Sequence, residues 1–402
     1  MTTLPPITDA QRRARLVDRH HLGRTADGPE AAVRGVVALH SSDPATPYLA
    51  TKARVPGFQA AHLEQALHED RTLWRLHAMR RTLFVVPAEE AAVFSAGAGL
   101  EVAVTERRKL ERWLEAEMDP GRVPEWIAEV EAGVLEALRE VGELRTGDLA
   151  REVPELSTPI TVGSGKWGGQ TPVSSRLLFL MALEGHLVRT RPAGTWRSSQ
   201  YHWAAAAPWF GETATALDPA HARVELARRY LARFGPATLT DLRWWTGWTA
   251  KHARAALRES GAVRVTLDGG GEGFVLPHDI EGSPSDAAVD EAPGEHGLRA
   301  ALLPALDSTP MGWKERRWYL GELEASLFDR NGNVGPTVWV DGRIVGGWGQ
   351  RPGGEVVWRL LEDAGTEATA AVEAEAAALT GWLDGAVVKP RFRTPLEREL
   401  SG

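Results

Sequence analysis

The chain has 402 residues, with 46 Lys and Arg against 54 Asp and Glu, a formal charge of −8, and 43% hydrophobic and 25% charged residues. That composition excludes wholesale disorder and, at about 150 residues per domain, predicts two or three domains. There is no cysteine, which excludes disulfides, thiolate zinc sites and thiol nucleophiles.

The opening MTTLPPITDAQRRAR has no apolar core of the signal-peptide kind, and no apolar run approaches the roughly 20 residues that cross a bilayer. A cytoplasmic protein without membrane contact is expected. Its negative charge is local. Eight acids and no Lys or Arg lie between Asp268 and Glu295, and six more acids lie between Glu362 and Asp384. The rest of the chain carries +6, enough for a basic face toward phosphates. Forty of the basic residues are Arg and six are Lys, a skew that a GC-rich genome also produces.

In chain order, a first unit runs from about Ala10 to a strand pair at Leu73 to Val86. The apolar run AAVRGVVAL inside it reads as a helix ending at His40. A second unit begins with a helix over Glu125 to Glu140, where Trp126, Val130, Val134 and Leu138 keep helical spacing. Thr146 then caps a short helix, Ser174 to Gly185 forms an apolar helix, and His186 to Trp203 holds two strands around Pro192-Ala193-Gly194. The Gly-rich stretch Thr158 to Pro172 lacks the spacing of a phosphate loop. A third unit repeats the order: helix Ala220 to Phe234, a capping box at Thr238-x-x-Asp241, helix Ala250 to Ser260, and paired strands over Ala262 to Leu276. Asp279 to Gly297 reads as a solvated loop. Beyond it, β-runs at Ala301 to Leu306, Thr337 to Val340, Ile344 to Trp348 and Val356 to Leu361 surround one helix, Thr366 to Leu383.

Helix, helix, helix, hairpin is a winged-helix order, a unit that reads DNA or serves as a protein-binding scaffold. The expected fold class is α+β, three tandem winged-helix units with a C-terminal β-barrel-like domain. Residues 1–120 hold the first unit and a connecting helix, 121–205 the second, 206–278 the third, 279–297 the acidic loop and 298–402 the β-domain.

Four strings bear chemistry. His40-Ser41-Ser42-Asp43-Pro44 gathers an imidazole, hydroxyls and a carboxylate at one chain break. They serve either to handle a water or, through Ser42 or Asp43, to cap the helix that follows. Met79-Arg80-Arg81 sits at a turn between strands and suits phosphate contact or an ordinary solvated turn. LLPALD with GWKER is the third, and FDRNGN with VDGR, the fourth, brings Asn-Gly and Asp-Gly pairs that signal hairpins first. The 12 histidines contain no zinc-hydrolase pattern, and there is no Gly-x-Ser-x-Gly elbow or dinucleotide fingerprint. Of the 16 tryptophans, some suit base stacking and most suit a core.

These strings together resemble the bacterial winged-helix DNA glycosylase family typified by AlkZ and YcaQ (AlkX), over nearly the whole chain. They are the helix end before Asp43-Pro44, MRRTLFVVP, SSRLLFLMALEGHLVR, LLPALD with GWKER, and FDRNGNVGPTVWVDGRIVGGW. The resemblance implies three winged helices in a C-shape with a C-terminal β-domain. It further implies hydrolysis of the N-glycosidic bond of bulky N7-alkylated purines, including interstrand crosslinks, in some members as protection from a self-made DNA-alkylating antibiotic. The family signature, Gln, an apolar residue, then Gln or Asp before Asp-Pro, falls here on His40, Ser41 and Ser42. By that correspondence His40 orients a water, Ser42 hydrogen-bonds it and Asp43 supplies negative charge. With few lysines, a monofunctional glycosylase is expected, acting as a monomer on double-stranded DNA without cofactor or metal. Arg80, Arg81, Arg189, Arg191 and Arg197 are the expected phosphate contacts. The alternative is a catalytically silent DNA-binding protein, a repair accessory or regulator.

Overall fold

The computed structural model describes residues 4–163, 168–210, 217–280 and 298–402. A short strand, β1 (Pro6–Ile7), and the helix Asp9–Arg19 lead in. Thr8 starts that helix with a capping box to Gln11, which satisfies two amides the helix itself leaves unbonded.

Three units then repeat one connectivity. In the first, helix Pro29–Gly35 leads to β2 (Leu39–His40), helices Thr46–Lys52 and Ala60–Glu64, and the strands β3 (Leu73–His77) and β4 (Leu83–Pro87). The sheet order is β2-β4-β3. In the second, helix Val123–Val141, β5 (Glu143–Arg145), helices Thr146–Glu152 and Ser174–Leu183, and β8 (Leu187–Pro192) with β9 (Tyr201–Ala205) give the order β5-β9-β8. A hairpin, β6 (Pro159–Val162) with β7 (Gly169–Pro172), interrupts this unit. It occupies the Gly-rich stretch Thr158 to Pro172, and residues 164–167 within it lie outside the described residues. In the third, helices Pro219–Phe234, Leu239–Thr246 and Ala250–Glu259 precede β10 (Val263–Leu267) and β11 (Glu272–Val275), and β1 pairs in parallel with β10. Ala237 bridges Phe274 where the other units carry their first strand.

The C-terminal part is an open sheet and not the barrel that its β-runs suggest. Its order is β12 (Ala300–Leu303), β13 (Thr337–Val340), β14 (Arg343–Gln350) and β15 (Val356–Leu360), all antiparallel. The outer strands β12 and β15 do not pair with each other, so both faces need cover instead of closure. Leu302, Val338, Val340 and Val345 pack on the helix Gly365–Leu383 through Val372, Ala376 and Leu379. On the other face Leu303, Trp339 and Ile344 join Leu396 of the helix Pro395–Ser401. Asp341 and Gly342, at φ 44° and 77°, make the two-residue turn between β13 and β14. Both central residues of a type I′ hairpin need positive φ, which is why Asp-Gly stands there.

One core runs through the first unit, the third unit and the sheet's inner face. The second unit has its own core, to which the helix Leu100–Leu114 contributes Ala103, Leu110 and Leu114. Asp241 stitches the third unit to the segment after β12. Its Oδ2 accepts the Thr238 amide, and its Oδ1 accepts the amides of Lys314 and Glu315, both at 2.8 Å. Of the loop expected at 279–297, residues 281–297 lie outside the described residues. Asp279 is not solvated: it is buried and takes a bond from Arg19 at 2.6 Å. None of the described tryptophans is exposed, so the tryptophan excess builds the interior.

Candidate active site

The apolar run before His40 does not stay helical. The helix stops at Gly35, Val37 turns at φ 66°, and Leu39 and His40 extend to pair with Val85 and Phe84 of β4. Val36 caps the helix end, and the left-handed turn at the buried Val37 redirects the chain before it extends. His40 therefore sits on a strand. Its N–H donates to Ser308 Oγ at 3.1 Å, and the Ser308 hydroxyl donates to the Ala38 carbonyl at 2.6 Å. Nδ1 accepts the Ser42 N–H at 3.4 Å, and the ring stands edge-on to Phe84. Burial, helped by Arg80 and opposed by Asp307, pushes the imidazole down to about 3. A neutral ring whose Nδ1 accepts carries its proton on Nε2. His40 is thus a hydrogen-bond donor and a poor base.

His40 lines a cavity of about 60 Å³ together with Arg80, Thr82, Ser308 and Asn333, walled by Met79, Phe84, Trp245 and Met311. At roughly 10–15 Å³ per water, this space suits a few waters. It is far below the 300 Å³ or more of a site for a drug-sized ligand.

Ser42 is half-buried beside His40, and its backbone N–H supplies the contact to the ring. Asp43 faces elsewhere. Its Oδ1 accepts the Ala45 amide at 3.1 Å and its Oδ2 the Arg391 amide at 2.8 Å. Burial raises its pKa, and these two amides with the Arg391 charge oppose the rise. The carboxylate turns the chain into the helix Thr46–Lys52 and clips the loop to the C-terminal segment. It lines a tight crevice with Pro304, Trp348 and Pro390, and His40 is not part of it. The structure brings His40 and Ser42 together and leaves Asp43 behind them.

The five candidate phosphate ligands differ in freedom. Arg80 and Arg81 adopt positive φ, 54° and 66°, in the turn between β3 and β4. Arg80 lies over the Trp244 ring at 4.6 Å, on which Arg316 also rests at 5.2 Å. Arg81 pairs with Glu106 at 3.1 Å, Arg191 with Glu69, and Arg197 donates to the Val387 carbonyl at 3.0 Å. Arg189 lies over the Trp203 ring, where burial pushes its guanidinium down to about 10. It lines an open pocket of about 480 Å³ with Arg145 and Arg151.

Sequence reasoning assigns no role beside His40 to three neighbours. Ser308 and Asn333 come from the C-terminal part, and nothing in their own strings points to His40. Arg75, buried on β3, donates through Nε to Ser41 Oγ at 3.1 Å. A hydroxyl in the middle of the His-Ser-Ser string, where the family carries an apolar residue, was the signal that could have announced a buried polar partner.

The family described as DNA glycosylase AlkZ-like matches residues 33–382. The fold superimposes on Streptomyces sahachiroi DNA glycosylase AlkZ with a TM-score of 0.71 at 21% identity, covering 96% of this chain and 99% of that one. None of the curated proteins compared matches it. With 350 of its 402 residues inside the family match, the chain belongs to the DNA glycosylase AlkZ-like family.

Proposed function

We propose that this protein hydrolyses the N-glycosidic bond of bulky N7-alkylated purines in duplex DNA and leaves an abasic site. Family membership supports the reaction class, and the observation that carries the site is the neutral His40 beside a water-sized cavity. An N7-alkylpurine is cationic and leaves readily. The enzyme needs to place a water and stabilise an oxocarbenium-like sugar. The water oxygen bonds to C1′, the bond to purine N9 breaks with its electron pair going to the base, and the water's proton passes to solvent. In this reading His40 orients the water, Ser42 holds the ring through its backbone N–H, and Asp43 fixes the loop that carries both. Its charge acts on the sugar only at a distance.

The three repeated units act as winged helices along the duplex, with Arg80, Arg81, Arg189, Arg191 and Arg197 toward phosphates. The protein works as a monomer in the cytoplasm without a cofactor, and interstrand crosslinks of a DNA-alkylating antibiotic are within its substrate class. The test is incubation with duplexes carrying N7-methylguanine, a bulky N7 adduct or an N7 crosslink, followed by alkali. Release of the bulky adduct, with strand scission only after alkali, is expected. The substitution of His40, Ser41 and Ser42 into the family signature favours one second reading, a silent DNA-binding protein. No release from any of the three substrates would favour it.

A further inference from the structure

The cavity beside His40 has a polar wall that comes from the far end of the chain. Asn333 closes a turn in which Phe328 bridges Val334. Asp329 organises that turn: Oδ1 accepts the amides of Asn331 and Asn333 at 2.8 and 2.9 Å, and Oδ2 accepts the Asn333 side-chain N–H at 2.9 Å. Burial raises the Asp329 pKa, but the Asn333 side chain and the turn's amides outweigh it and hold the carboxyl below its usual range. Asp329 is therefore an anion and can only accept. The orientation of the Asn333 amide is fixed by that requirement: Nδ2 must face Asp329, and Oδ1 is the end left over.

The Thr82 hydroxyl lines the same cavity as a second acceptor, and the remaining polar groups serve less well. Ser308 spends its hydroxyl proton on Ala38 and its oxygen on the His40 amide. Arg80 can only donate. His40 itself offers Nε2–H, because Ser42 occupies Nδ1. A water needs both a donor and an acceptor to be held with a lone pair in a fixed direction. Here the donor lies on β2 and the acceptor on the β-domain, joined across a space of about 60 Å³.

We propose that Asn333 is a catalytic residue that holds the attacking water through Oδ1 opposite His40 Nε2–H, and that Asp329 is its positioning residue, fixing which way the amide faces. This rests on the glycosylase reading above. The Asp329 charge also polarises the amide toward Oδ1, which strengthens the bond to the water. As the water oxygen bonds to C1′ and the purine departs, the hydrogen held by Asn333 is the one released to solvent. The C-terminal sheet thereby completes the reacting centre.

Three variants test this on a bulky N7-alkylguanine duplex under single-turnover and steady-state conditions: Asn333→Ala, Asp329→Asn and the double variant. Asp329→Asn keeps an oxygen for the turn's amides but presents an N–H₂ to Asn333. The Asn333 amide must then flip and send a donor into the cavity. Each single variant should lower kcat about 10²-fold, the scale of losing one positioning contact, with KM within about threefold of wild type. The double variant should lose little more than either single. Thermal melts check that each variant is folded. A wild-type-like kcat in both single variants overturns the proposal and leaves the glycosylase reading intact. A change confined to KM, additive losses, or loss on Thr82→Val in place of Asn333→Ala overturns it equally. A wild-type protein that releases no base overturns both.

Discussion

Arg54 and Asp307 meet in a two-pronged ion pair, Nη1 to Oδ2 and Nη2 to Oδ1, each at 2.8 Å and with neither side chain exposed. The pair joins the first unit to the β-domain one residue before Ser308, which holds the strand of His40. It also extends to the third unit. Arg54 donates to Thr309 Oγ1, the Thr309 hydroxyl donates to His20 Nδ1, and His20 Nε2–H donates to the Arg233 carbonyl. Every heavy-atom step is 3.1 Å or less. The two-residue strand that carries His40 is thus fixed by a buried polar chain.

Asp307→Ala should destabilise the protein by about 3–5 kcal/mol, because it leaves the Arg54 charge buried without its partner. The double variant Arg54→Met with Asp307→Leu should lie closer to wild type than the single, since neither charge is then stranded. Urea unfolding followed by circular dichroism measures both. A single variant within 1 kcal/mol of wild type would refute the account.

Arg80→Ala should weaken binding to plain and lesion-bearing duplex by similar factors. It should also make the slope of log affinity against log salt shallower by about 0.9, the value of one phosphate contact. Arg80 stacks on Trp244, and among the described residues it pairs with no carboxylate. Arg81 and Arg191 are held by Glu106 and Glu69. Binding DNA would exchange those pairs for phosphate, so each alanine change there should cost less than Arg80→Ala. Fluorescence anisotropy over a salt series compares the three, and an unchanged slope in Arg80→Ala removes it from the interface.

The sequence shows the repeated units well because their helices alternate apolar and polar residues at a clear period, as in Val130, Val134 and Leu138, and because Thr238 and Asp241 form the box that their spacing announces. It misses what depends on partners distant in the chain. Val36 to His40 reads as helix by its apolar run, but the chain turns at Val37, and pairing with Val85 and Phe84 makes Leu39 and His40 a strand. Closure of the β-domain was expected because edge strands leave no mark in a run of apolar residues. The covering helices Gly365–Leu383 and Pro395–Ser401 show that the sheet is open. In the candidate site, one string brings His40 and Ser42 together. Asn333, Ser308 and Arg75 were not legible in it, since each reaches the site from a separate part of the fold.

Asp43→Ala should behave as a stability variant. Removing its carboxylate strands the buried amide of Ala45, at about 1–3 kcal/mol for an unmet group, and frees the part-buried amide of Arg391. His40→Ala should show the reverse pattern: a loss of excision of about 10²-fold or more with a smaller change in stability. Parallel unfolding and excision assays separate the two. A fully stable Asp43→Ala protein without excision would return the chemistry to Asp43.

The low pKa of His40 sets two pH dependences. In the native protein burial and Arg80 hold the ring at about 3, whereas in the unfolded chain it titrates near the ordinary value of about 6.5. Excision should therefore be level from about pH 5.5 to 8, with no inflection near 6.5, because the donating ring stays neutral throughout. An inflection there that disappears in His40→Gln would mean that the imidazole works as a base. Stability runs the other way from a salt-bridged histidine. Between about pH 6.5 and 3 the unfolded chain binds a proton that the native site refuses, so stability is full above 6.5 and falls as pH drops. The slope is up to about 1.4 kcal/mol per pH unit for each such ring. His68, also pushed by burial down to about 3, adds a second, and the buried His20 and His77 lie well below their usual range. The raised carboxyls of Asp43 and Asp241 oppose the fall, because the native state takes up their protons first. Urea unfolding at pH 7, 6 and 5 should show His40→Gln losing less stability with acidification than wild type, by up to one proton's share of the slope. Parallel pH profiles for the two proteins would show that His40 is not held neutral by its site.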